Sequence, residues 1–433
     1  MRVLHVANYF RGLHSHLGGA ENALFRTVRM LQEQGIQNAL ATLRSDLPRP
    51  QSEYPHYFLR RVEDFLPRRM ARYMEPVKWY RWQTDPLVAA DFRRVLAQVR
   101  PDTVHFHNFQ FLGLDLIRLA KESGARICYT VYDYWMFCPN VMLLTGRDET
   151  CRRFHGPHCL DCLPPEWRGV QRMLLKNRKL VFDRYLRMVD RWVVLSEHSR
   201  SVLEDYGIPP DRIRVVRLTL PLEFEATPPG AAVPPVPGRM FFAGWLQKRK
   251  GLHVLLRAMP ELRAAVPGAH LRVAGAETKF DAEYRADLKK YIRANGLEDC
   301  VTFLGHLPPE AIQRELLAAS AVVIPEQFEN MSPLLMIEGM MLGRPVVISR
   351  IGGIPEYVED GKTGWLFPPT DAAALAGKLI PVLKGQVDLA GVARAARRKI
   401  EETCDSRRIA RESLAVYDFE EPRETQAKQR ERT

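Results

Sequence analysis

Short apolar runs recur along the chain, each followed by a turn and then by a stretch whose apolar positions repeat at helical period. The runs at 2–7, 102–108, 127–131, 192–195 and 213–216 read as strands of one unit. Those at 240–244, 271–275, 301–305, 320–324 and 345–348 read as strands of a second. Strand alternating with helix is the pattern of a parallel α/β sheet covered by helices on its faces. A charge-poor segment with six prolines at 221–237 separates the units and reads as a linker. The expected organisation is therefore 1–220, a linker at 221–238, 239–404, a last helix at 405–419, and a charged, apolar-poor tail at 420–433.

Three places in this pattern suit an anion. After the run at 2–7, Gly18-Gly19-Ala20-Glu21 opens a helix that extends to about Gln34, so backbone amides and the positive end of a helix dipole face the turn. After the run at 320–324, a polar loop leads to Ser332-Pro333. Serine is a good N-cap and proline is at home in the first helical turn, so a helix is expected to start there with its amides free for a phosphate. Glu338 rides that helix about a turn and a half further on, within reach of a ribose attached to the phosphate. Gly352-Gly353 then lets the backbone turn close to a ligand. After the run at 240–244, Trp245 to Gly251 carries Lys248-Arg249-Lys250. In the first unit, the period of two puts His105 and His107 on one face of a strand.

The string from Pro325 to Asp371 resembles the nucleotide-sugar site of the retaining GT-B glycosyltransferases of family 4, in which two glutamates frame a helix start and a GGxxE loop follows. The resemblance covers most of the chain and implies two Rossmann-like domains facing across a cleft. The second would hold the donor, the first the acceptor, and the terminal helix would cross back onto the first domain. Glu338 matches the glutamate that binds the nucleotide ribose. The partner glutamate, which touches the donor sugar, normally has seven residues between it and the ribose-binding one; Glu329 and Glu338 have eight between them, and Asn330 occupies the usual position. Either a one-residue bulge brings Glu329 into the site or Asn330 fills the role, and Glu329 is preferred. Gly18-Gly19 matches the glycine loop that faces the donor diphosphate, and Lys250 a lysine on the donor phosphates. The arginine expected after the strand glycine is Trp245 here, with Lys248 or Arg249 as the replacement. The histidine that sits beside the reacting sugar is Tyr132, followed by Asp133. An unperturbed tyrosine, at about pKa 10, is no base near neutral pH, but Tyr132 can donate a hydrogen bond. The resemblance thus implies catalytic roles for Glu329, Lys250 and Tyr132. It implies a donor set of Gly18, Gly19, Arg249, Lys250, Asn330, Met331, Ser332, Pro333, Leu334 and Glu338, and acceptor-side roles for Glu21, His105, His107 and Asp133.

At 433 residues the chain is too long for one ordinary core. Its 46% hydrophobic and 26% charged residues are those of a water-soluble globular protein. No stretch approaches the roughly 20 apolar residues of a membrane span, and residues 2–7 read as a strand rather than a signal peptide, so the expected location is cytoplasmic. The net charge of +12 favours an anionic partner. Between Phe58 and Trp82, Arg60, Arg61, Arg68, Arg69, Arg72, Lys78 and Arg81 are interleaved with Phe65, Tyr73, Trp79, Tyr80 and Trp82. That mixture suits an anionic bilayer surface at the inner membrane face and equally a solvated helix with its rings in the core. RNA is disfavoured because no RNA-binding motif accompanies the charge. Cys138, Cys151, Cys159 and Cys162 fall within one short segment, where they read either as a structural zinc site or as reduced buried thiols.

The expected activity is transfer of a sugar, with retention, from a nucleotide-diphosphate sugar to a glycan or lipid-linked acceptor. No cofactor is expected for catalysis, because the sequence offers no acidic pair of the kind a cation-dependent transferase uses. The alternatives are a non-catalytic nucleotide-sugar binder of the same fold, a nucleotide-sugar epimerase, and a basic nucleic-acid-binding protein.

Overall fold

Two parallel sheets, one in each half of the chain, organise the computed structural model, which describes residues 1–15, 18–67, 70, 85–145, 149–162, 168–220, 234–275 and 282–419. The first contains β1 (Arg2–Val6), β2 (Gln37–Leu43), β3 (His56–Leu59), β4 (Thr103–Phe106), β5 (Arg126–Thr130), β6 (Arg191–Val194) and β7 (Ile213–Val215) in the order β3-β2-β1-β4-β5-β6-β7. The second contains β8 (Arg239–Ala243), β9 (His270–Ala274), β10 (Val301–Gly305), β11 (Ala321–Ile324), β12 (Val346–Ser349) and β13 (Trp365–Phe367) in the order β10-β9-β8-β11-β12-β13. Counted within each half, the order begins 3-2-1-4-5, so each sheet has the doubly wound topology. Its crevice opens at the carboxyl ends of the first and fourth strands, where the winding reverses. The strands are near-continuous apolar runs because both faces are covered; β4, β11 and β12 are buried along their whole length.

Helix α1 (Gly19–Glu33) follows β1, and Glu21 closes its start by accepting the Gly18 N–H at 2.8 Å. Helix α2 (Glu197–Tyr206) follows β6. In the second lobe α3 (Leu252–Ala265) follows β8 and α4 (Leu334–Met341) follows β11. The last helix, α5 (Ser406–Val416), lies against the first lobe. Arg191 donates to the carbonyls of Ala415 and Val416, at 2.8 and 3.2 Å, and to that of Asp418. A cation thus satisfies the orphan end of α5 and complements its dipole.

Several expectations need correction. Strands β2, β3 and β13 were not anticipated. Helix α4 is not capped by the Ser332 side chain: Pro333 is the N-cap residue, and Ser332 Oγ instead donates to the buried Tyr357 hydroxyl at 3.1 Å. In the basic, aromatic segment, Arg60 is paired with Asp91 at 2.7 Å and Arg61 with Asp64 at 3.1 Å; residues 68, 69 and 71–84 lie outside the described residues, as do 221–233 of the linker and the tail from 420.

His105 and His107 share one face with His5, as the period of two requires, in a buried network behind the cleft. Asn38 Nδ2 is surrounded by the carbonyl oxygens of Val28 and Ile36 and by Gln32 Oε1, each at 3.2 Å. Asn38 Oδ1 is therefore left to accept from His5 Nε2 at 3.0 Å. His5 Nδ1 then accepts from His107 Nε2 at 3.1 Å, which makes both imidazoles neutral with fixed tautomers. His105 bridges the Tyr417 hydroxyl and Thr130 Oγ1, each at 2.7 Å. Burial pushes His5 down to about 4 and His105 and His107 well below the ordinary histidine value of 6.5.

Because the unfolded chain binds protons at these residues below pH 6.5 and the folded protein does not, stability is lost as pH falls from 6.5 towards 4. Thermal unfolding followed between pH 7.5 and 4.5 is expected to show a falling midpoint, with a shallower fall in a His5→Gln variant. Equal slopes in the two proteins would show that His5 is not held neutral by the fold.

Candidate active site

The loop from Pro325 to Pro333, at the carboxyl end of β11, is the hub of the cleft. Gly251, after the turn Lys248–Lys250, has φ +72°, and a Cβ there would overlap the Pro325 carbonyl. Only glycine lets the two loops approach so closely, and the Gln327 N–H reaches the Arg249 carbonyl at 2.8 Å. This contact delivers Lys250 Nζ to Glu326 Oε1 at 2.6 Å. Glu326 is buried and Lys250 half-buried; the Glu326 carboxylate also accepts from Asn330 Nδ2 at 3.1 Å, while its Oε2 has no hydrogen-bond partner among the described residues. Burial lowers the Lys250 pKa against the opposing pull of Glu326. The cationic ends of Arg249 and Lys250 lie over the Phe328 ring at 5.1 and 5.2 Å, favourable electrostatic contacts with the aromatic face.

Glu329, only 4% exposed, turns the other way, towards the first lobe. Its carboxylate accepts two hydrogen bonds from Arg152, Nη1 to Oε2 at 2.7 Å and Nη2 to Oε1 at 3.1 Å. His198 Nε2 stands 3.3 Å from the same Oε1. A second cross-lobe contact lies beside it. Glu356 accepts from the amides of Glu197 and His198, at 3.1 and 2.9 Å, and pairs with Arg217 at 2.7 Å. A carboxylate of one lobe therefore satisfies two orphan N–H groups at the start of α2 in the other. Gly353 sits between them, where a Cβ would collide with Ser196 and with the Met331 carbonyl. The glycine pair at 352–353 thus packs closely on the 329–331 backbone.

The amino ends of α1 and α4 meet across the gap. A Cβ on Gly18 would lie 3.6 Å from Trp245 Nε1, and one on Gly19 3.9 Å from Leu334 Cδ1. Further along the same helices, Arg26 reaches Glu338 at 3.6 Å. Tyr132 and Asp133 follow β5. Tyr132 bonds Thr27 of α1 and stacks on His107, ring centroids 5.9 Å apart, and burial raises its pKa. Asp133 accepts from the Trp135 amide at 2.9 Å. Burial pushes its pKa up to about 6, with Arg249 opposing the shift and Glu21 adding to it, so these three side chains sense one another across the cleft.

Most of the expected donor residues thus gather at one gap. Met331 is buried beside it, and Asn330 is used within the loop, its Oδ1 accepting from Ser332 N at 3.2 Å. His105 and His107 stand further back; His105 borders a cavity of about 30 Å³ beneath α5 together with Tyr132 and Tyr417, room for water and not for a sugar. Sequence reasoning missed Glu326, Arg152, His198 and Arg26; it had Glu356 as the last residue of the GGxxE loop but not its partners across the cleft. Cys138, Cys151, Cys159 and Cys162 share one loop, with Cys159 Sγ 3.2 Å from the Phe154 carbonyl. Among the described residues the ligand atoms gathered within 4.8 Å of one another are those of His5, His105 and His107, and no three of the cysteine sulfurs form such a group. No helix among the described residues is long and apolar enough to cross a membrane.

Comparison with known proteins agrees with this architecture. Residues 17–223 match the family described as Glycosyltransferase Family 4, and residues 229–400 match Glycosyl transferases group 1. The amylovoran biosynthesis glycosyltransferase AmsK of Erwinia amylovora is 31% identical over 268 residues, 60% of this chain and 61% of that protein. The chain thus spans about three-fifths of the length of this curated relative. Among solved structures, sucrose-phosphate synthase from Thermosynechococcus elongatus superposes with a TM-score of 0.69 at 18% identity, covering 96% of this chain and 98% of that one. Anabaena HepE in complex with UDP and glucose does so with a TM-score of 0.70 at 17% identity, covering 96% and 99%. With two doubly wound lobes closing on a gap flanked by Gly19, Lys250 and Glu338, and with both halves matched, the chain belongs to the group 1 glycosyl transferases of GT-B fold.

Proposed function

We propose that the protein is a retaining glycosyltransferase that moves a sugar from a nucleoside-diphosphate sugar to a glycan or lipid-linked acceptor, without a metal ion. The observation that carries this is the meeting of two helix amino ends, α1 and α4, at one gap beside Lys250. Two sets of amides and two dipoles aimed at one point suit a diphosphate. The complex of HepE with UDP and glucose supports a uridine-type donor, and AmsK, named for amylovoran biosynthesis, supports a polysaccharide acceptor.

Breaking the sugar–diphosphate bond places positive charge on the anomeric carbon and negative charge on the departing phosphate. The preorganised amides, with Lys250 and Arg249, stabilise the second charge. Glu338 holds the ribose and Glu329 the donor sugar, while the leaving phosphate takes the acceptor proton on the face that the acceptor attacks. The first lobe presents the acceptor near Asp133. Peripheral attachment to an anionic membrane surface through the segment 58–82 belongs to the same proposal.

Hydrolysis and transfer measured on a panel of UDP-glucose, UDP-galactose, UDP-N-acetylglucosamine and GDP-mannose test the reading. Turnover of at least one donor, reduced about 100-fold by Glu338→Ala, is expected, since a hydrogen bond to a charged group contributes about 1.5–3 kcal/mol. Binding of a donor without turnover would support the non-catalytic alternative. EDTA is expected to leave the rate unchanged; loss of turnover with the fold intact would count against a metal-free reaction. Because burial depresses Lys250, its charge is lost as pH rises past a value below the ordinary 10.5. The alkaline limb of kcat/KM, which reports groups of the free enzyme, should therefore fall below 10.5 and move upward in Lys250→Arg. An unmoved limb would take Lys250 off the phosphates.

A further inference from the structure

We infer that Arg152, contributed by the cysteine-bearing loop of the first lobe, is the positioning residue for Glu329, so that the donor-sugar subsite is complete only when the two lobes are together. The inference rests on the reading above that Glu329 touches the donor sugar. Three observations carry it.

The first is geometry. A planar guanidinium that donates to both oxygens of one carboxylate fixes the carboxylate plane as well as its place, which a single ammonium cannot do. Arg152 makes this fork at 2.7 and 3.1 Å. Each carboxylate oxygen has two acceptor positions; the fork uses one on each and His198 Nε2 stands 3.3 Å from Oε1, so acceptor capacity remains on Oε2 for a sugar hydroxyl. The second is burial. The Glu329 side chain is 5% exposed, and an uncompensated carboxylate in such a place is costly. The guanidinium is what makes the charge tolerable there, and it is held in turn by Asp205 at 3.4 Å.

The third is the way the loop is built. The Leu144–Thr150 bridge and the Cys151 amide on the Leu143 carbonyl, at 2.7 Å, fold the segment back on itself. Arg152 follows directly on these backbone contacts, and its side chain reaches Glu329 of the second lobe. The buried Cys138, Cys151 and Cys159 anchor the loop to the first lobe. The loop that has the extra residue between Glu329 and Glu338 carries the Glu329 carboxylate to a cation on the opposite lobe.

The test compares the parent with Arg152→Ala, Arg152→Lys, Glu329→Ala and the double alanine variant. UDP and UDP-glucose serve as binding probes, replaced by GDP and GDP-mannose if the parent turns over only the latter. Arg152→Ala and Glu329→Ala are each expected to weaken nucleotide-sugar binding or kcat/KM about 100-fold. Affinity for the bare diphosphate should stay within about threefold, because its seat lies on the helix ends and Lys250. The double variant should be no worse than the worse single one. Lysine at 152 should restore little, whereas guanidinium ion at millimolar concentration should partly restore Arg152→Ala and leave Glu329→Ala unchanged. Parallel loss of diphosphate and sugar-nucleotide affinity in Arg152→Ala, with no rescue by guanidinium, would reduce Arg152 to a structural residue. If Glu329→Ala loses the sugar and Arg152→Ala behaves as the parent, only the inference fails. If Glu329→Ala binds UDP-glucose as the parent does, Glu329 is not in the sugar subsite, and the reading beneath the inference fails with it.

Discussion

Two carboxylates buried three residues apart at the end of one strand impose the constraint on which the cleft depends. Glu326 is 2% and Glu329 4% exposed, and neither ion is tolerable there without a partner. The successive side chains are aimed in different directions, so one cation cannot serve both. Glu326 is answered within its own lobe by Lys250, which requires the β8 loop to press against the β11 loop at Gly251. Glu329 is answered from the other lobe by Arg152. The first pair braces the Lys250 loop against the hub loop, and the second ties the two lobes together. Charge neutralisation, more than shape alone, therefore decides where the two domains meet.

The location of that meeting follows from topology. In each sheet the winding reverses between the first and fourth strands, and the loops leaving those strands flank an open crevice. The chain places Gly18-Gly19 after β1, Trp245 to Gly251 after β8 and the hub loop after β11. Tyr132 and Asp133 follow β5, next to β4. Facing two such crevices across one gap gives a site lined by helix starts from both sides. The closing helix α5 then returns to the first lobe, where Arg191 holds its last carbonyls and His105 its Tyr417. The histidine network thus also seats the end of the helix that returns to the first lobe.

How much of this was legible depended on whether the cause is local. Strands such as AVVI at 321–324 are fully buried and read directly from their apolar continuity. In contrast, β2 begins QNALATL, with Asn38 turned inward to orient His5, and β3 and β13 are too short to show a period. Lys250 and the two glycines of α1 were legible because turn chemistry and charge sit next to each other in sequence. Ser332 misled because a serine before a proline has the composition of a cap, while the nearby Tyr357 hydroxyl competes for its oxygen. Arg152, Arg26, His198 and Glu356 carry no periodic signal. Their meaning comes from partners 139 or more residues away for Glu356 and 177 for Arg152, and only the folded chain brings these together.

The same local logic bears on the position after the strand glycine, where the resemblance leads one to expect an arginine. Trp245 occupies that position and packs beside Gly18. A guanidinium stands four residues later, that of Arg249, over the Phe328 ring and close enough to Asp133 to oppose its raised pKa. Around the gap, Glu326, Glu329 and Glu338 each face a cation, so the paired side chains contribute little net field. On the proposed reading, attraction for a diphosphate would come chiefly from the two helix starts, which are backbone and cannot be titrated or rotated away. An incoming phosphate would then share Lys250 with Glu326, an ion pair that braces the loop whether or not a ligand is bound.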